Sequence, residues 1–103
     1  MSNSVVLASI ELFHLNYYMW VEKRKEIWNS CKNRIDHINL VYGKENKTDG
    51  ESRFIAQYII ELMKMIKKDS EFSATAIDCI CYYKNLSGYN WLSNFFPENV
   101  LEK

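Results

Sequence analysis

Between Val5 and Tyr42 the chain holds neither glycine nor proline, and its apolar residues recur at steps of mostly three and four. Ile10, Phe13, Tyr17, Trp20, Val21, Trp28, Cys31, Ile35, Ile38 and Tyr42 therefore line one side of a 3.6-residue spiral. This pattern predicts one long helix, or two collinear ones, over residues 5–42, with a continuous buried stripe. Ser4 suits its N-cap and Gly43 its C-terminal stop.

The two halves of this helix differ. In the second half Glu22, Glu26, Asn29, Asn33 and Asp36 or His37 oppose the apolar stripe. In the first half Ala8, Leu12, Leu15 and Met19 form a second apolar stripe instead. A helix that is apolar all round must be covered all round. The expectation is a central core helix; the alternative is that the second stripe is an interface, for which a homodimer is the simplest partner.

Residues 43–52 contain no apolar side chain and read as a loop, with Asp49 or Ser52 able to cap the next helix. Ile55, Ile59, Leu62 and Ile66 predict that helix over about 52–68, with Gln57, Glu61, Lys64 and Lys68 toward water. A third helix is expected near 72–86, capped by Ser70 or Ser73. Thr75, Ile77, Cys79, Cys81 and Tyr83 also alternate as a strand would, so an α+β alternative stays open for 74–84. Helix is favoured because no second strand is evident. From Tyr89 onward, Trp91, Leu92, Phe95 and Phe96 surround Pro97. This predicts a short helix, a turn and another helical turn that together cap the core.

The fold class expected is thus all-α: a single-domain bundle of three to four helices spanning residues 1–103. The chain has the material for a core, being 48% hydrophobic and 15% aromatic, which excludes a disordered chain. Lys plus Arg equals Asp plus Glu at 13 each. A nucleic-acid binder normally carries a basic excess to neutralise phosphate, and an acidic mimic carries the reverse; neither is present. Lys, Asn and Ile each occur ten times, with Tyr at seven. That bias toward AT-rich codons suggests a low-GC genome or a mobile element.

No basic leader precedes the first apolar run, and Glu11 and His14 interrupt it. Cys31, Cys79 and Cys81 are therefore expected to be reduced thiols in a cytoplasmic protein. Residues 5–21 are short and too polar for a membrane span.

Signals of chemistry are mostly absent. Gly43, Gly50 and Gly88 are isolated, so no phosphate-binding loop exists. Cys31 and His37 are nearly two helical turns apart, too far for a nucleophile–base pair. Cys79 and Cys81 on a helix point some 200° apart and lack two further zinc ligands. Paired carboxylates such as Glu22 and Glu26 lie in polar runs. No catalytic group, cofactor or metal is expected, and the chain is read as non-enzymatic.

What remains is an excess of tyrosine and tryptophan, residues favoured at binding hot spots. Adjacent rings on a helix face about 100° apart, so the Tyr17–Trp20 cluster and the Tyr82–Tyr83 pair cannot all point inward. The leading expectation is a protein-binding module, most simply a small inhibitor of the immunity or antitoxin kind that occludes a toxin or effector domain. Its expected contacts are Tyr17, Tyr18, Trp20, Glu45, Asp49, Glu51, Tyr82, Tyr83, Tyr89 and Trp91. Two alternatives are a homo-oligomer built on Ala8, Leu12, Leu15 and Met19, and a nucleic-acid-binding regulator using Lys23, Arg24, Lys25, Lys32 and Arg34.

Overall fold

A computed structural model describes the backbone of residues 3–102 and the side chains of residues 11–102 other than residue 13. Helix α1, Asn3–Tyr42, is unbroken. At about 1.5 Å per residue it sets the long axis of a molecule measuring 70 × 26 × 24 Å. Helices α2, Asp49–Lys67, and α3, Ser70–Lys84, pack against its C-terminal half. Two four-residue helices, α4 at Leu92–Phe95 and α5 at Glu98–Leu101, lie on either side of Pro97.

The core begins at Ile27. Ile27, Cys31, Ile35 and Ile38 of α1 meet Ile55, Ile59, Leu62 and Ile66 of α2, and Ala76, Cys79 and Ile80 of α3. Trp91, Leu92, Phe96 and Leu101 close one end, as the aromatic tail predicts. Each set repeats at three and four residues, so burial of one stripe per helix holds the bundle together. On α3 the buried stripe contains the small residues Ser73, Ala76 and Cys79, which admit a close neighbouring helix. Cys79 Sγ lies 3.7 Å from the Trp28 carbonyl oxygen, and Cys31 Sγ lies 3.7 Å from Met65 Sδ.

Residues 74–84 are helical, as favoured, and no strand occurs among the described residues, so the α+β alternative is not borne out. Burial of Ser73, Ala76, Ile80 and Tyr83 at helical steps overrides the alternation seen there, and Asp69, rather than Ser70 or Ser73, caps α3, its carboxylate accepting from Phe72 N. The cap of α2 is Thr48 rather than Asp49 or Ser52. Its hydroxyl accepts from Glu51 N, while Glu51 Oε1 accepts from Thr48 N, both at 3.1 Å. This reciprocal box satisfies two backbone donors at once, which a cap at Asp49 or Ser52 would forgo.

A second correction concerns α1. The stripe is buried only from Ile27 onward, and the first half is not a central core helix. Helices α2 and α3 are too short to flank it, since α2 ends at Lys67 and α3 begins at Ser70 beside Lys23. Residues before about 21 project past the bundle as a helical arm. The expected position of Ala8 in an interface falls outside the described side chains.

Candidate docking surface

Ten large apolar side chains are exposed among the described residues, and six of them lie between Leu12 and Trp20. Scattered exposed apolar residues are ordinary; a contiguous cluster marks an interaction site. Leu12, Leu15 and Met19, spaced by three and four, occupy one edge of the arm at 58%, 54% and 59% exposure. Tyr17 and Trp20 occupy the opposite side, with ring centres 5.9 Å apart. They continue the same stripe that becomes core at Ile27 and Cys31.

The foot of the arm is electrostatically distinctive. A cleft of about 520 Å³ opens there, lined by Tyr18, Met19, Trp20, Glu22, Lys23, Glu26 and Glu71. Three carboxylates face one ammonium. Lys23 pairs with Glu71 at 3.2 Å and Lys25 with Glu22 at 3.3 Å. Glu71 Oε1 is buried and has no hydrogen-bond partner among the described residues. Beyond Trp20 lies a smaller cleft of about 210 Å³, lined by Arg24 and by Ser70, Glu71, Ala74 and Thr75. There the Arg24 guanidinium stacks 4.7 Å from the Trp20 ring centre, within cation–π range.

The structure separates the candidate partner-binding residues into three places. Tyr17, Tyr18 and Trp20 stand together on the arm, exposed. Glu45 and Asp49 are exposed in and after the loop before α2, while Glu51 is half-buried and bound to Lys44 at 2.7 Å. The Lys44 ammonium, and then the Thr48 backbone N–H, hold the Glu51 carboxyl below its ordinary value. Tyr82 is exposed, with its ring 5.8 Å from that of Trp28.

Tyr83 and Trp91 are buried and Tyr89 is half-buried. The Tyr89 hydroxyl donates to Asp36 and the Trp91 indole N–H to Asn39. Burial, then the contact with Asp36, pushes the Tyr89 phenol above its ordinary value. Tyr89 and Trp91 fasten the C-terminal segment to α1, and the Tyr83 ring of α3 packs edge-on to Tyr89 at 5.1 Å.

The basic residues of the nucleic-acid alternative are each engaged with a carboxylate. Lys23 meets Glu71, Arg24 meets Asp78, Lys25 meets Glu22, Lys32 meets Asp36 and Arg34 meets Glu61. A phosphate would have to displace these partners. The Cys79 and Cys81 thiols also lack the character of nucleophiles, and Cys31, whose thiol the hydrogen bond with Cys79 lowers, is fully buried. The neighbouring Cys31 thiol and burial push the Cys79 thiol upward, and burial does the same to Cys81. Among the described residues no three His, Cys, Asp or Glu side chains cluster where they could hold a metal ion, and no helix is long and apolar enough to cross a membrane.

The acid-lined foot of the arm was missed by sequence reasoning. Glu22 and Glu26 are visible as one polar face, but Glu71 joins them from another helix, and spacing carries no signal for that. No protein-family model, curated protein or solved structure matches the chain.

Proposed function

We propose that this protein is a non-enzymatic protein-binding module whose docking element is the arm formed by the first half of α1. The observation that carries this reading is the concentration of exposed large apolar side chains between Leu12 and Trp20, on a helix that the bundle leaves uncovered. Helix-in-groove and helix-on-helix recognition use such i, i+3, i+4, i+7 anchors. The narrower reading is a small inhibitor of the immunity or antitoxin kind, supported by small size and by the aromatic anchors Tyr17, Tyr18 and Trp20. Three unlinked cysteines fit a reducing compartment such as the cytoplasm.

The test is affinity capture from the native host with the tagged wild type and with the Leu12→Lys/Leu15→Lys variant. The reading expects one polypeptide at near-stoichiometric yield with the wild type and its loss with the variant. If that polypeptide is an enzyme, the inhibitor reading also requires its activity to fall on adding one equivalent of this protein. Capture that is indifferent to both lysines would overturn the arm as docking element.

A further inference from the structure

The core brings three sulfur side chains together, one from each of the three main helices. Cys31 Sγ of α1 lies 3.7 Å from Met65 Sδ of α2, and the Cys31 thiol is hydrogen-bonded to that of Cys79 on α3. Cys79 Sγ in turn lies 3.7 Å from the Trp28 carbonyl oxygen, in the turn of α1 that carries Cys31. Cys31 and Cys79 are fully buried, and Met65 is 8% exposed. Positions 31, 65 and 79 are too far apart in the chain for spacing to reveal the grouping.

The donor atoms select the ligand. Among the described residues the buried polar or charged side chains are Ser73 and Thr75, so no carboxylate or imidazole is buried with the three sulfurs. The third donor is a thioether, which lies outside the histidine, cysteine and carboxylate set. Thiolate and thioether sulfurs suit soft ions such as copper(I), whereas magnesium and calcium take oxygen.

Charge makes the same selection. A monovalent ion that takes the place of the Cys31 thiol proton, which leaves to solvent, keeps the net charge of the core unchanged. An uncompensated charge there would be costly. Zinc would need both thiols to ionise and a fourth ligand to close its tetrahedron. Spacing agrees: sulfurs that share one ion at about 2.3 Å lie roughly 3.8–4 Å from each other, close to the observed separation of Cys31 and Met65. Met65 supplies the way in, being the one member of the trio that reaches the surface, on an unbranched side chain with three rotatable bonds.

We propose that Cys31, Cys79 and Met65 form a buried site for one soft monovalent metal ion of the copper(I) class. The site stands apart from the arm and needs no partner protein.

Anaerobic titration of the reduced full chain tests it, with copper(I) supplied as its acetonitrile complex in competition with a coloured copper(I) chelator. A Cys81→Ser background removes the half-buried third thiol. One equivalent is expected to leave the chelator, with helix content unchanged and one proton released per ion. X-ray absorption at the copper edge is expected to show three sulfur neighbours. Met65→Leu conserves core volume and is expected to fold normally, to show two sulfur neighbours and to bind at least about tenfold more weakly, since even outer-shell partners of a metal are worth about 10- to 100-fold. Zinc(II) is expected to be lost on gel filtration.

Copper(I) that stays with the chelator would overturn the proposal. So would copper(I) held equally well by Met65→Leu, or held only when Cys81 is present. Binding that destroys helix content would also overturn it, because the ion would then be taking thiols from an opened chain.

Discussion

The Tyr89 hydroxyl donates to Asp36 Oδ1 at 3.0 Å, and Lys32 Nζ reaches Asp36 Oδ2 at 2.8 Å. One carboxylate of α1 thereby holds the segment after α3. The chain turns toward it at Gly88, whose φ of +88° is one that a side chain would strain. Tyr89→Phe removes the donor and keeps the ring. The expected loss is about 1 kcal/mol of unfolding free energy in urea, because the bond is to a charged acceptor but only part-buried.

The same contact predicts alkaline instability. Burial pushes the Tyr83 and Tyr89 phenols above their ordinary value near 10, and the hydrogen bond to Asp36 raises the Lys32 ammonium. In each case the folded state holds its proton more tightly than the unfolded chain. The stability they contribute is complete below about pH 10 and is lost as pH climbs through the folded values. Circular dichroism with tyrosine absorbance is expected to show unfolding above about pH 10, with a shallower slope in Tyr89→Phe. A stability flat across that range would contradict this linkage.

Ile38 and Leu12 sit on one helix with opposite fates: Ile38 is 0% exposed and Leu12 58%. Ile38→Ala is expected to cost about 2–5 kcal/mol, as large-to-small core substitutions do. Leu12→Ala is expected to stay within about 0.5 kcal/mol for the isolated chain. Equal effects would mean that the arm is packed on its own bundle.

Thr48→Ala breaks the reciprocal box at the start of α2 and is expected to cost about 1 kcal/mol. Lys44 and the Thr48 N–H favour ionised Glu51. That contribution is present above about pH 4.5 and disappears as pH falls through the lowered folded value. The stability difference between wild type and Glu51→Gln is therefore expected to shrink to nothing in acid. Denaturant melts at neutral and acid pH check both.

The helices of this bundle were legible because each buries one stripe at a helical period: Ile55–Ile59–Leu62–Ile66 and Cys31–Ile35–Ile38 announce themselves. Even the turn at Pro97 between two short helices comes from local chemistry. What spacing could not convey is which stripe finds a neighbour. Tyr17 and Trp20 continue the core stripe in phase, yet α2 and α3 stop short of Tyr17, and only the start of α3 reaches Trp20. The ambiguity at Thr75–Tyr83 has a similar origin, since residues two apart can alternate in character while the burial that decides the matter runs Ser73, Ala76, Ile80, Tyr83. Tyr83, Tyr89 and Trp91 carry the aromatic character of contact residues, but Asp36 and Asn39 hold Tyr89 and Trp91 against α1. Their partners are more than 50 residues away in sequence.

The most direct test of the arm as a docking element is amide hydrogen exchange read by mass spectrometry at rising protein concentration. Exchange protection reports local opening. Residues 27–38 are expected to be protected at every concentration, and residues 11–20 to exchange much faster in dilute protein, where their own bundle leaves them uncovered. Protection of residues 11–20 that equals that of residues 27–38 at every concentration would show an arm already covered by its own chain, and would contradict the account.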